Sequence, residues 1–148
     1  MKIAVTGATG QLGKLVIDAL LERGADPAQL VALGRSEEKL APLAGKGLET
    51  RVADYNVQPD LVSALEGVDK LLLISSSEVG QRVAQHENII NAAKQVDVSL
   101  IAYTSIANAM TGGMELAEEH IATERLLAGS GIGYVLLRNG WDIQNYTD

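Results

Sequence analysis

The chain has 148 residues, 47% of them hydrophobic, a length and composition that fit one domain with its own core. It contains no cysteine, which excludes disulfides, thiolate metal sites and cysteine nucleophiles and fits a reducing compartment. Its net charge of −7 argues against general binding to nucleic acid or to anionic membranes. The sequence has no signal-like N-terminus and no apolar run of about 18 residues. We therefore expect a cytoplasmic protein. Its aromatic residues are only four Tyr and one Trp, so we also expect an aliphatic core.

A short apolar strand over residues 1–5 leads directly into a glycine-rich turn and then a helix. This order is typical of the phosphate-binding corner of a dinucleotide fold. The spacing of Gly7, Gly10 and Gly13 is G-x-x-G-x-x-G, which differs from the G-x-G-x-x-G of dehydrogenases. Gly7 would allow the tight turn, Gly10 would let the backbone approach a diphosphate, and Gly13 would let the helix pack closely. Glycine turns also occur for steric reasons alone, but the position between an N-terminal strand and a helix favours nucleotide binding.

Strands and helices alternate along the rest of the chain. The first helix ends near Arg23-Gly24, and the later strands are predicted over residues 30–33, 48–53, 69–74, 100–103 and 134–137. The helices between them are predicted over residues 37–43, with Ser36 as N-cap, 59–66, 79–96 and 115–128. Strict alternation predicts an α/β fold, a Rossmann-like doubly wound parallel sheet in the order 3-2-1-4-5-6. Residues 1–148 would form one NAD(P)-binding domain.

The carboxyl ends of the predicted strands are the expected ligand site, because ligands of open α/β sheets bind there. At the end of strand two, where an NAD-binding fold usually carries an acid, the sequence has Arg35. An arginine there pairs with a 2′-phosphate and points to NADP(H), with Lys39 as a candidate second cation. The alternative is a solvated arginine that pairs with Glu37 or Glu38.

Other strand ends give weaker indications. Asp54 either accepts a hydrogen bond from an adenine amino group or caps the next turn, and the sequence does not decide between them. Ser75 to Ser77 would lie near a ribose, although serines commonly do no more than end strands. His86 lies on the apolar face of its helix, which favours a packed, hydrogen-bonded histidine over a catalytic one. The two histidines do not have metal-ligand spacing, and we predict no metal.

Several runs in chain order carry a resemblance that spans the whole sequence. They are residues 6–13, Gly34-Arg35, residues 53–55, the run 71–82 (LLLISSSEVGQR), residues 101–105 and residues 137–141. Together they resemble the NmrA-like group of atypical short-chain dehydrogenases/reductases, and within it the bacterial branch of NADPH-dependent quinone oxidoreductases. The run 71–82 is much more specific than the glycine turn.

The resemblance implies NADPH as cofactor and a set of cofactor-binding residues. Phosphate contacts would come from Gly7, Thr9, Gly10, Gln11 and Leu12, and 2′-phosphate recognition from Arg35. Ribose and nicotinamide contacts would come from Ser75, Ser76, Ser77, Tyr103, Thr104, Ser105, Asn139, Gly140 and Trp141.

Two departures from the family pattern affect the expected chemistry. Classical members carry Tyr-x-x-x-Lys on the helix after strand five, where the tyrosine donates a proton, and the corresponding residues here run from His120 to Glu124. That acid is missing, and His120, Glu124 and Tyr103 are only weak catalytic candidates. Family members also continue well past residue 148, so the chain is expected to be a nucleotide-binding half without the C-terminal substrate lobe.

Three functions fit these observations. The first is an oxidoreductase that transfers a hydride from NADPH to a quinone; a quinone tolerates the missing tyrosine because the hydroquinone anion is a far weaker base than an alkoxide. The second is a non-catalytic, redox-sensing regulator of the NmrA type that binds NADP(H). The third is a reductase or epimerase acting on another small molecule. We favour the quinone oxidoreductase, and the sequence leaves open whether the protein forms a homodimer.

Overall fold

The structure is a computed structural model, and it describes residues 1–74, 81–104 and 121–137. Helices and strands alternate in the predicted order. Their bounds are β1 Ile3–Val5, α1 Gln11–Glu22, β2 Leu30–Gly34, α2 Glu37–Gly45, β3 Glu49–Val52, α3 Gln58–Ala64, β4 Lys70–Ile74, α4 Arg82–Gln95, β5 Leu100–Thr104 and β6 Gly133–Leu137. Residues 121–129 are also helical, and a short 3-10 turn, Pro27–Gln29, precedes β2.

The six strands form one sheet in the order β3-β2-β1-β4-β5-β6, and every neighbouring pair is parallel. This confirms the predicted doubly wound sheet and its strand order. The first strand of the chain lies inside the sheet, with Ile3 opposite Leu30 of β2 on one side and Lys70 of β4 on the other. The carboxyl ends of β1 to β6 therefore meet at one edge of the sheet, as a ligand site of this fold requires.

Alternate residues of the central strands enter two hydrophobic layers, which is why helices cover both faces of the sheet. On β1, Ala4 packs into one layer with Leu61 of α3 and Ile89 of α4. Its neighbour Val5 packs into the other layer, with Ile17 of α1. Side chains that alternate in this way produce the unbroken apolar runs of a parallel sheet covered on both faces. The largest fully buried side chains are Leu and Ile apart from Tyr103, so the predicted aliphatic core is confirmed among the described residues.

Several helix bounds differ from the prediction by one to three residues; α3, predicted over residues 59–66, runs from Gln58 to Ala64. The helix α2 extends to Gly45, beyond the predicted end at Leu43, because the carbonyl of Leu43 accepts the closing bonds from the N–H groups of Lys46 and Leu48. The predicted cap is confirmed, since Ser36 Oγ accepts the N–H of Lys39 at 3.3 Å. The helix α4 begins at Arg82 with Gln81 as its N-cap, whereas the sequence predicted a start at residue 79, which lies outside the described residues.

Candidate functional site

The glycine turn between β1 and α1 has the compact geometry that the glycine spacing predicts. Gly7 has a φ of +59°, a left-handed conformation that glycine adopts without strain. The carbonyl of Gly7 accepts the N–H of Gly10 at 3.0 Å, which closes the turn. A Cβ on Gly13 would overlap that carbonyl oxygen and would lie 2.8 Å from the Cα of Ala8. Gly13 therefore lets α1 start directly against the turn.

The start of α1 is well suited to an anion. Its N-cap is Gly10, which has no side chain to bond the first N–H groups of the helix. Those groups have no partner within a helix, and they stand at its positive end. The described α1 has no acidic residue in its first turn that would compete for them. Thr9, Gly10, Gln11 and Leu12 are all at least partly exposed here, so a phosphate can reach this backbone.

Neighbouring strands hold the glycine turn in place. The Thr6 hydroxyl is buried and accepts the N–H of Ile74 at 2.9 Å, which ties the end of β1 to the end of β4. The N–H of Ala8 donates to the carbonyl of Leu33 in β2 at 3.3 Å. The turn is thus fixed on both sides of β1 before any ligand binds.

Arg35 follows β2 at the same edge of the sheet and its side chain is exposed. Glu37 and Glu38 lie in the first turn of the helix that follows. The positive charge of Arg35 partly opposes the rise in the pKa of the Tyr55 phenol that burial causes. The location is the one expected for 2′-phosphate recognition, and that role stays a prediction.

Asp54 caps the turn after β3, which is one of its two predicted roles. Its Oδ1 accepts the N–H of Asn56 at 2.9 Å, and its carbonyl accepts the N–H of Val57 at 2.9 Å. A carboxylate has acceptor sites on two oxygens, so this cap is compatible with a contact to adenine, which remains a prediction.

Tyr55 is a residue of this site to which sequence reasoning assigned no role. Its hydroxyl accepts the N–H of Gly7 at 2.8 Å, and its carbonyl accepts a hydrogen bond from Asn88 Nδ2 at 3.0 Å. The only signal in the sequence was a tyrosine next to Asp54 at a strand end. Nothing in the spacing indicated that its side chain reaches the glycine turn.

Thr104 ends β5 beside Ile74 of β4, and its side chain is completely buried. Within the part of the chain that the structure describes, Thr104 Oγ1 has no hydrogen-bond partner. Buried hydroxyls are seldom left without one. A polar group of a ligand at the strand ends would satisfy it, which agrees with the predicted cofactor contact.

The weak catalytic candidates do not form a catalytic group among the described residues. Tyr103 is buried in the core, and its ring lies edge-on to His86 with centroids 5.4 Å apart. His86 is also buried and its Nδ1 is 2.9 Å from the Thr123 hydroxyl, so the packed, hydrogen-bonded histidine is confirmed. Glu124 lies beside Thr123 in the helical segment 121–129 and is half-buried. A catalytic role for Tyr103 or Glu124 stays a prediction.

Several predicted site residues lie outside the described residues: Ser75, Ser76, Ser77, Ser105, His120, Asn139, Gly140 and Trp141. Across residues 1–74, 81–104 and 121–137, no three acidic or histidine side chains form a group that would hold a metal. Within the same ranges, no helix is long and apolar enough to cross a membrane.

Comparison with known proteins agrees with this geometry. Quinone oxidoreductase 2 of Escherichia coli (strain K12) is 56% identical over 144 residues, which cover 97% of this chain and 50% of that protein. A crystal structure of an NADPH-dependent quinone oxidoreductase from Escherichia coli, complexed with NADPH, superimposes with a TM-score of 0.86 at 56% identity over 93% of this chain and 48% of the other. Citrobacter sp. triphenylmethane reductase complexed with NADP(H) gives a TM-score of 0.86 at 42% identity over 94% and 49% of the two chains.

The chain spans about half the length of these relatives. These relatives confirm the resemblance inferred from the sequence, and the solved structures share the Rossmann-like fold of this chain. A family model described as NAD(P)H-binding matches residues 7–146, which is nearly the whole sequence. The chain therefore belongs to the NAD(P)H-binding family.

Proposed function

We propose that this chain binds NADPH at the carboxyl edge of its sheet and that, as part of a longer protein, it delivers the hydride of NADPH to a quinone. The observation that carries the proposal is the compact glycine turn, which leads directly into the start of α1, where no side chain caps the helix. Arg35 lies at the end of the neighbouring strand β2. The Escherichia coli relative, 56% identical, is a quinone oxidoreductase, which supports the choice of substrate.

Different described residues would bind different parts of the cofactor. The N–H groups of Gly7 and Gly10 already donate hydrogen bonds within the protein. The phosphates would therefore be bound by the later amides, those of Gln11 and Leu12. Gly13 lets α1 approach closely enough to present those amides. Arg35 would pair with the 2′-phosphate, and Asp54 with the adenine amino group.

The buried hydroxyl of Thr104 supports a polar ligand group at the end of β5. The residues present therefore fit a dinucleotide on two independent grounds, a glycine turn that leads into exposed helix amides and a buried hydroxyl that has no partner among the described residues. When bound, NADPH supplies the hydride, and the protein supplies orientation more than proton transfer. Ser75 to Ser77, Ser105 and Asn139 to Trp141 remain proposed contacts from the resemblance.

Calorimetric titration with NADPH and NADH tests the first part of the proposal. We expect this chain to bind NADPH, and to bind it more tightly than NADH. The absence of NADPH binding by the folded chain would overturn the proposal.

Steady-state oxidation of NADPH with a soluble benzoquinone tests the second part. We expect turnover by a form extended to the length of the relatives and much slower turnover by this chain, because a second wall is needed to hold a substrate in reacting geometry. An extended form that binds NADPH and NADP⁺ equally and never turns over would favour the redox-sensing regulator.

A cytoplasmic location and a homodimer also stay predictions.

A further inference from the structure

Tyr55 connects two strands that are not neighbours in the sheet. It follows β3, whereas the amide that it binds belongs to Gly7 after β1, and β2 lies between those strands. Its side chain therefore crosses the end of β2, beneath the place where a dinucleotide lies in this fold. The 2.8 Å bond from Gly7 N to the hydroxyl is short and joins residues 48 positions apart.

This bond completes the fixation of the Gly7 peptide groups. The carbonyl of Gly7 is held by the N–H of Gly10, and its N–H is held by Tyr55. Glycine with a φ of +59° has unusual freedom to move to other conformations, so these two bonds determine which conformation the turn keeps. The conformation of the glycine turn then determines where the amides at the start of α1 point.

Tyr55 is itself firmly placed. Asn88 of α4 donates to its carbonyl at 3.0 Å, and the turn around Asp54 fixes the preceding residue. The side chain is buried, and burial raises the pKa of the phenol, partly opposed by the Gly7 hydrogen bond and the charge of Arg35. The hydroxyl is therefore neutral at ordinary pH and serves as a steady acceptor for the Gly7 amide.

We propose that Tyr55 is a positioning residue for the cofactor diphosphate: its hydroxyl holds the glycine turn in the conformation that presents the amides of α1 to the phosphates. The proposal rests on the proposed NADPH binding. It distinguishes Tyr55 from Arg35, since Tyr55 would act on the diphosphate that NADPH and NADH share, and Arg35 on the 2′-phosphate that only NADPH carries.

The test is calorimetric titration of wild type and Tyr55→Phe with NADPH, NADH and adenosine 2′-monophosphate. Tyr55→Phe removes one oxygen and leaves the part-buried Gly7 N–H without its acceptor. We expect the affinities for NADPH and NADH to fall by the same factor, roughly three- to ten-fold, the size of one hydrogen bond. The affinity for adenosine 2′-monophosphate should be unchanged, because this ligand carries no diphosphate.

Tyr134→Phe is the matched control. It removes the same atom from an exposed tyrosine at the opposite end of the sheet, near the start of β6, and should change none of the three affinities. Should Tyr55→Phe fail to fold, Asn88→Ala replaces it; that variant loosens Tyr55 through its carbonyl and should cause the same selective loss of diphosphate ligands.

The outcomes separate the two proposals. If wild type binds NADPH and Tyr55→Phe binds both dinucleotides equally well, Tyr55 has no positioning role. An equal loss for all three ligands would show a merely structural residue and also overturn the inference. If folded wild type binds no dinucleotide at all, NADPH binding itself is wrong.

Discussion

Arg35 is the residue on which the choice between NADPH and NADH depends in the proposed function. Arg35→Ala removes a charge-assisted contact to the 2′-phosphate, and the loss of such a contact costs on the order of 1.5–3 kcal/mol, or one to two decades of affinity. NADH lacks this phosphate, so its affinity should hardly change. Titration of both cofactors measures the ratio directly.

Arg23→Ala provides the control for net charge. Arg23 is an exposed arginine at the C-terminal end of α1, at the edge of the sheet opposite the carboxyl ends of the strands. It should leave the NADPH-to-NADH ratio unchanged. If Arg35→Ala weakens both cofactors alike, or if wild type prefers NADH, Arg35 does not recognise the 2′-phosphate and its alternative role beside Glu37 and Glu38 is favoured.

Gly13 tests the close contact between α1 and the glycine turn. A methyl group at this position would overlap the carbonyl of Gly7, which is backbone and has no rotamer by which to withdraw. Gly13→Ala should lower the free energy of unfolding by about 1–3 kcal/mol or more, as overpacking does, and should abolish tight NADPH binding. The midpoint of urea unfolding measures the first effect and calorimetry the second.

Gly45→Ala is the matched control for this substitution. Gly45 ends α2, and a Cβ there would have no atom within 4 Å. The change should stabilise the protein by up to about 1 kcal/mol, because alanine favours a helix over the unfolded chain. Equal effects of the two substitutions would show that the contact with Gly7 is unimportant.

Glu124 tests whether proton donation is needed at the place where classical family members carry their Tyr and Lys. In an extended, active form, Glu124→Gln should lower quinone turnover far less than the ~10²–10⁴-fold loss typical of a true acid or base. Glu22→Gln, at the exposed end of α1, is the control. A loss within the acid–base range, with NADPH binding intact, would show that Glu124 has taken over the acid's role; His120→Asn deserves the same measurement.

The edge strand β3 is held by an ionic cluster. Glu49 accepts hydrogen bonds from Arg51 Nε at 2.6 Å and from Lys2 Nζ at 2.8 Å, and Arg51 also donates to the carbonyls of Ala64 and Glu66 at the end of α3. The hydrogen bond from Arg51, followed by that from Lys2, lowers the pKa of the Glu49 carboxyl below its ordinary value. The cluster thus links β3 to both β1 and α3.

This lowered pKa predicts an acid-dependent part of the stability. Because Glu49 binds its proton more weakly when folded, its contribution is present above about pH 4.5 and is lost as the pH falls through its folded-state pKa. Urea unfolding of wild type and Glu49→Gln should differ at about pH 7 and converge near the acid end, with a small, salt-sensitive difference because the pair is partly exposed. Glu87→Gln, on the exposed side of α4, removes a carboxylate outside this cluster and is the control. A difference that persists unchanged in acid would contradict the assignment.

The sequence predicted the elements better than the contacts between them. Strict alternation of apolar runs and helical patterns was enough for the six strands and their order, because parallel sheets with right-handed crossovers permit few arrangements. The glycine turn and the Ser36 cap were predicted because their geometry is local. The C-terminal end of α2 depended on bonds to the carbonyl of Leu43 that no propensity describes.

Tyr55 shows why the rest of the site was not predictable. Its bond to Gly7 joins residues 48 positions apart, and its anchor at Asn88 lies 33 positions further along the chain. Alternation tells which strand ends share an edge, but not which side chain crosses from one to another. The buried hydroxyl of Thr104 was found in the same way, only when the end of β5 was seen beside Ile74.

The family match covers residues 7–146, and the chain spans about half the length of its relatives. The proposed phosphate and adenine contacts among the described residues all lie on the first three strand ends and α1. A single α/β unit thus contains the parts proposed to bind one end of the cofactor, and these parts lie close together in sequence.

The central position of β1 has a consequence for the order in which the chain folds. Among the strands of this sheet β1 is synthesised before the others and pairs with β2, yet its other edge is covered by β4, where Thr6 contacts Ile74 68 residues later. A fragment that ends before residue 70 would leave that edge open, with hydrogen-bonding groups exposed to other chains. Such a fragment should show little cooperative unfolding and should aggregate, which light scattering and urea titration would detect. The growing chain therefore needs its fourth strand before its first one is protected.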